Sequence, residues 1–352
     1  MPRSTWFAVR RELPARRSAL LAVFSFILPL ALWSVISYVP WIWHPLMLVT
    51  DAGGSTAYNV GMRVPKDGFA EENARLLADS KAVVVGIAAN PVFLPAPHAV
   101  ALAAWKAFTA EPRKGDKSLG QALLHSIGII AWGFGIAALI GVPLGIACGV
   151  WAASSRLFEP VVDFVRYMPP PTFGALALAI LGIDDEPKIA IIVIGILFNL
   201  ILVVANTTRQ VDQGLLEAAQ TLGARNRSLV TRVVIPAALP NLYNDLRIFL
   251  GVGWTYLTIA EMVGASSGIS QFINQQGKYR NYDNVFAGIA VIGMVGLITD
   301  QVLAFAGRFL FPWTGKTNGT VASAAWRGLW WLPVTLVRLV TRTRQPRLGS
   351  TP

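Results

Sequence analysis

The sequence predicts an all-α polytopic membrane protein with six transmembrane helices, and three observations carry that prediction. Of its 352 residues, 54% are apolar and only 14% are charged, proportions that ordinary soluble domains do not reach. Uncharged apolar runs recur at about the 20 residues a helix needs to cross a hydrocarbon core of roughly 30 Å. The basic residues gather at the ends of those runs, as expected of segments retained on the cytoplasmic side.

The chain opens with a basic tail, 1–18, in which Arg3, Arg10, Arg11, Arg16 and Arg17 stand against a single acid, Glu12. The first span covers 19–43. Its apolar run is too long for a signal core and no small-x-small cleavage site follows. A retained anchor is therefore expected, in preference to a cleaved signal or a twin-arginine export signal at Arg10-Arg11. A long extracytoplasmic loop, 44–118, comes next. Within it, Phe93-Leu94-Pro95-Ala96-Pro97 starts a helix with Val100, Ala103, Ala104 and Phe108 on one side, expected along the membrane surface. The apolar run Ala82 to Ala89 fits a strand or a buried helix, and its pattern does not choose between them.

Five further spans make up a core region, 119–311, at 123–153, 160–182, 189–205, 248–259 with extension at either end, and 286–309. The third is interrupted by Pro169-Pro170-Pro171. The fifth is bracketed by Asp245 and Glu261, and its Gly251, Gly253, Trp254 and Thr255 suit a helix that faces protein rather than lipid. The tail, 312–352, interleaves tryptophan and arginine with aliphatics, which suits an amphipathic helix lying in the headgroup region. A seventh span is the alternative, but it would carry Arg327, Pro333 and Arg338 into the bilayer and leave the basic tail outside. Six spans put both termini inside, with the loops holding Arg156 and 212–240, and put Asp184-Asp185-Glu186 outside. A multi-pass membrane protein with both ends in the cytoplasm is expected.

Several chemistries find no support. The formal net charge of +11 sits at span ends, where topology explains it without nucleic acid. Cys148 stands alone inside the second span, and His44, His98 and His125 lack acidic or cysteine neighbours at ligand spacing, so no metal is expected. Gly315-Lys316-Thr317 imitates a phosphate loop, but Leu310 occupies the place of its first glycine and no strand precedes it. No nucleophile elbow or paired-carboxylate arrangement is present. The chain is expected not to be an enzyme.

The loop 212–240 has helical periodicity. Asp212 fits an N-cap, Leu215, Ala218, Ala219 and Leu222 form a narrow stripe, and Gly223 stands where a left-handed residue ends a helix. A second helix is expected from Asn226 to Val234, stopped by Pro236. From periodicity alone the stripe serves either as a docking surface or as a face folded back on the spans.

Glu217-Ala218-Ala219, three residues, Gly223, nine residues, then Val233-Val234-Ile235-Pro236 resembles the EAA loop of permease subunits in bacterial ATP-binding-cassette (ABC) importers. That family prefers Ile and Leu where this chain has Val233 and Ile235, which keeps the apolar character. The resemblance runs from about Leu94 to Phe311. Phe93 to Pro97, Gly141-Val142-Pro143-Leu144-Gly145, Arg166 to Pro170 and Ala260 to Gly268 resemble the branch that handles nitrate, aliphatic sulfonates, taurine and bicarbonate.

The resemblance implies a type I ABC importer permease fold, a permease homodimer or a heterodimer of two permeases, and no cofactor on this chain, with ATP and Mg held by a separate ABC ATPase. It also implies an extracytoplasmic solute-binding protein as partner and an ATPase-coupling role for Leu215, Glu217, Ala218, Ala219, Leu222, Gly223 and Pro236. Tyr167, Asn199, Thr255 and Glu261 are candidates for lining the translocation path. The rival class, a self-sufficient secondary transporter or channel, would show inverted repeats, and none is evident.

Overall fold

The computed structural model describes residues 13–39, 41–109, 118–263, 268–311 and 313. The basic N-terminal tail up to residue 12 and nearly all of the amphipathic tail expected at 312–352 lie outside them. One compact unit comprises Trp33–Gly307, and the two terminal segments make up the other. Among the described residues five helices are long and apolar enough to cross a membrane: Arg16–Tyr38, Leu119–Val150, Glu186–Arg209, Asn226–Val263 and Tyr282–Leu310.

Helix α1 (Ala15–Tyr38) leaves its aliphatic and phenylalanine side chains open along most of its length, as lipid contact allows. Its last turns belong to the large unit, where the Trp33 indole donates to Pro95 O at 3.0 Å and stacks on Phe286. The external loop then builds a small α/β unit from strands β1 (Leu46–Asp51), β2 (Arg63–Pro65) and β3 (Val85–Ala89) and helix α2 (Lys66–Ala78). The antiparallel order is β2-β1-β3, and Val49, Val64, Leu76 and Val84 form its core. The ambiguous run Ala82 to Ala89 is therefore a strand over its last five residues, because β1 supplies the backbone partners that one strand cannot supply for itself. Helix α3 (Pro97–Thr109) starts at the expected proline, with Val100 buried and Phe108 over Gly120.

The core is built on α4 (Leu119–Val150) and α7 (Glu186–Arg209). Ser118 and Gln121 start α4 with a reciprocal capping box. Gly133, Ala137, Gly141, Gly145 and Gly149 then recur every fourth residue, so one edge of α4 has almost no side chain. Helix α7 lies against that edge with Ile192, Ile196, Leu200 and Val204, all fully buried. A β-carbon added at Gly145 would lie 2.6 Å from Val204 Cβ, and one at Gly133 would lie 2.7 Å from Ile192 Cγ2. Small residues let backbones approach where no hydrophobic gain separates protein from lipid, and van der Waals packing holds the helices together.

The third expected span is corrected. Residues 160–182 form no single helix: α5 (Ala152–Val165) ends before the triple proline, Pro170–Phe173 is a short 3-10 turn, and α6 (Gly174–Leu181) has eight residues, so the chain returns from the end of α4 to the start of α7 in broken pieces. Three consecutive prolines remove three N–H donors and bar the helical conformation from the residues before them. The second helix of the 212–240 loop is corrected as well. After α8 (Gln213–Thr221), helix α9 (Asn226–Leu229) does start at Asn226, but it passes through a π turn (Val230–Val234) straight into α10 (Ile235–Val263). The Ile235 N–H reaches back five residues to Val230 O. That wider turn shifts the hydrogen-bond register just ahead of Pro236, so the proline neither clashes nor stops the helix. Helices α11 (Ile269–Lys278) and α12 (Tyr282–Leu310) complete the core.

Gly145→Val is expected to destabilise the protein by about 1–3 kcal/mol through overpacking, read as a lower Tm in detergent. Gly135→Val, where an added side chain meets nothing within 4 Å, should leave Tm near the parent value.

Candidate functional site

Helix α8 is short, and its ends hold it. Asp212 Oδ1 accepts from the Leu215 N–H at 3.2 Å, the expected N-cap. At the other end Gly223 has φ +86°, its N–H donates to Gln220 O at 2.9 Å, and the Ala224 N–H donates to Ala219 O at 2.9 Å. This pair of bonds is a Schellman motif, and the left-handed residue in it must be one without a Cβ penalty. The Arg225 N–H then meets Ser228 Oγ at 3.0 Å, which starts α9.

The apolar stripe points outward. Leu222 is 89% exposed and Leu215 52%, Ala218 is open, Ala219 is half-buried, and α8 buries no residue. The face folded back on the spans, the other reading that periodicity allowed, is not what forms. Glu217 lies on the open side and accepts from Gln213 Nε2 at 3.1 Å, leaving carboxylate capacity unused by that bond. Pro236 sits at the foot of the loop, in the first turn of α10.

The base beneath α8 is tied together by polar contacts. Arg209, at the end of α7, donates to Cys148 O at 3.1 Å and Ser155 Oγ at 3.2 Å and pairs with Glu159, which ties α7 to the α4–α5 corner three residues before the Asp212 cap. On α10, Asp245 accepts from Thr207 at 2.6 Å, Arg247 pairs with Asp300 at 2.8 Å, and the Tyr243 hydroxyl donates to Leu303 O at 2.8 Å. Sequence reasoning missed this belt. Its signal was present in the acids and arginines spaced along apolar runs, where each needs a partner.

The four path candidates are spread over the α5 break, α7 and α10. Tyr167 stands at the α5 break, 75% exposed, accepting from Arg166 Nη2 at 2.8 Å under a guanidinium 4.5 Å from its ring. Asn199 is half-buried on α7, and Thr255 is exposed on α10. Glu261 is enclosed, at 1% exposure, so in this conformation it lines no open path. Its carboxylate accepts from the Ser126 hydroxyl of α4 and from the Ser270 N–H of α11 at 2.8 Å, while Ser126 Oγ accepts from the Ile269 N–H at 2.9 Å.

Close by, at the same end of the bundle, Lys188 is also 1% exposed and its ammonium meets Asp185 Oδ1 at 2.8 Å, which His125 Nε2 approaches at 3.1 Å. Desolvation opposes ionisation of Asp185, but the Lys188 ammonium and the His125 ring outweigh it and hold the carboxyl below its usual range.

Five membrane-length helices, with one short, end-capped helix that holds an open apolar stripe outside them, define an integral membrane protein of the polytopic helical class. Within that class the chain belongs to the family of binding-protein-dependent transport system inner membrane components, whose match covers residues 141–316. It is 33% identical to the taurine transport system permease protein TauC of Escherichia coli (strain K12) over 231 residues, which is 65% of this chain and 83% of that protein. It is 31% identical to the putative aliphatic sulfonates transport permease protein SsuC of Bacillus subtilis (strain 168) over 189 residues, 54% of this chain and 68% of the relative. Among solved structures, the inward-facing MetNI methionine ABC transporter aligns with a TM-score of 0.47 at 23% identity, covering 55% of this chain and 94% of that one. The family match and the relatives bear out a helical ABC-importer permease, with five full-length spans among the described residues where six were expected.

Because the folded-state pKa of Asp185 is depressed, its stabilising contribution is present above the unfolded value near 4 and is lost as pH falls through the lower folded value. Tm in detergent should hold above about pH 5 and fall on further acidification. Asp185→Asn should lower Tm at pH 7 and flatten that acid limb, because it leaves the buried Lys188 without this partner.

Proposed function

We propose that this chain forms the translocation path of an ATP-driven importer and is moved by a separate ABC ATPase that docks on α8. The observation that carries this reading is the open stripe: Leu215, Ala218, Ala219 and Leu222 face away from the chain's own spans on a helix fixed at both ends. An alanine-centred stripe admits close approach by a groove of another protein, and the two leucines supply apolar area at its rims. Glu217 provides the polar contact, Gly223 the turn that sets the angle between α8 and α9, and Pro236 the foot of the loop. ATP and Mg reside on the ATPase, and none of the chemistry of hydrolysis falls to this chain.

On this reading two copies of the permease enclose the path, and an extracytoplasmic binding protein delivers the solute. Both termini and α8 face the cytoplasm, which agrees with the basic ends of the sequence. The solute is a small compound that carries an anionic group, such as taurine, an aliphatic sulfonate, nitrate or bicarbonate, and the taurine, sulfonates and bicarbonate of the relatives' names share that chemistry. Tyr167, Asn199 and Thr255 contribute polar groups to the path. Transport proceeds by a two-state movement of packed helices, in which ATPase closure biases one state over the other.

Gly223→Val forces a β-branched residue into φ +86° and costs upwards of about 1–2 kcal/mol at that turn. The variant should still enter the membrane but lose most solute uptake with its ATPase, whereas Gly223→Asn, which tolerates the left-handed region, should retain much of it. Uptake by reconstituted vesicles checks both, and normal uptake by the valine variant would contradict the proposal.

A further inference from the structure

We propose that Glu261 is a positioning residue that passes the movement of the α8 loop to the extracytoplasmic end of the bundle; the inference rests on the coupling reading above. Helix α9, the π turn and α10 form one uninterrupted rod from Asn226 to Val263, 38 residues long, or about 57 Å at helical rise. One end of the rod joins α8 through the Gly223 turn. The other end carries Glu261, two residues before the last.

The Glu261 side chain grips two other helices at once. One carboxylate oxygen takes the Ser126 hydroxyl from α4, and the other takes the Ser270 N–H in the first turn of α11. Ser126 closes the triangle by accepting from the Ile269 N–H. The carboxylate and Ser126 thus satisfy N-terminal donors of α11 that have no partner within the helix, and the anion lies at the favourable end of that helix's dipole. Gly268 has φ +114°, and a β-carbon there would overlap the Glu261 carboxylate, so the backbone is closed down on the acid. Lys188, buried on α7, adds a favourable charge nearby.

Helix α11 in turn is packed to α4 and α12 through Leu119, Ile269 and Val291, all buried. A displacement of the rod therefore cannot leave α11 behind without stripping charge-assisted hydrogen bonds from a buried carboxylate, and bonds of that kind are the strong ones. The apolar contacts around it, by comparison, permit sliding. The polar triangle makes the far end of α10 move as one with α11, and through α11 with α4 and α12.

The test uses the permease assembled with its ATPase and binding protein in vesicles. Glu261→Gln keeps the shape but removes the charge, and Ser126→Ala removes the α4 arm alone. Both variants should co-purify with the ATPase and hydrolyse ATP at rates near the parent, while solute uptake falls at least tenfold. A spin label at Tyr279→Cys after α11, in a Cys148→Ala background, should show a change with nucleotide in the distance between the two permease copies in the parent that Glu261→Gln abolishes. Uptake and distance change at parental levels in both variants overturn the inference, as does a parallel loss of assembly, hydrolysis and uptake, which marks Glu261 as fold-supporting only. A parent chain that never binds an ATPase overturns the coupling reading itself, and that failure is visible before any variant is made.

Discussion

The close approach of α4 and α7 is the contact on which the remainder depends. From Gly133 to Gly149, the C-terminal half of α4, a glycine or alanine at every fourth residue leaves a groove, and the branched side chains of α7 fill it. In a bilayer no hydrophobic driving force brings two apolar helices together, so this fit carries the association. It also sets the register of the two polar regions at the ends of α7. Lys188 at its start is placed beside Asp185 and His125, and Arg209 at its finish is placed beside Glu159 and the α4–α5 corner.

That register divides the molecule into rigid and exposed parts. Helix α8 has nine residues, and a helix so short is marginal in water without help. Its order comes from Asp212 and Gly223, and its base comes from the Arg209 cluster, since burial contributes almost nothing. Leu222 is left 89% open there, and the proposed docking of an ATPase is what would cover it. Glu261 has the opposite environment: a carboxylate fully enclosed and supplied with hydrogen-bond donors from two neighbouring helices. One continuous helix joins the open surface to the enclosed acid.

Much of this was legible in the sequence because it depended on local chemistry. The Asp212 cap, the Gly223 turn, the proline start of α3 and five of the six expected spans depend on neighbours a few residues apart. What escaped depended on partners distant in the chain. Whether Ala82 to Ala89 became a strand was decided by β1, more than thirty residues earlier. Pro236 looked like a stop because the one-residue shift of a π turn leaves no mark in the pattern. The triple proline was seen to break the third span, but not that its two halves would become separate helices. Ser126, at 135 residues from Glu261, gave no sign in the sequence of being its partner. The glycine repeat of α4 stands in the sequence at its period of four, but a hydropathy pattern does not register it.

The most direct measurement is cysteine cross-linking from position 222. With Cys148 replaced by alanine, Leu222→Cys is the chain's single thiol. Docking of an ATPase on α8 predicts a cross-linked product with that ATPase whose yield changes with bound nucleotide. Labelling of the same cysteine by an impermeant reagent from the extracytoplasmic side, or failure to cross-link to any ATPase under every nucleotide condition, would contradict the account.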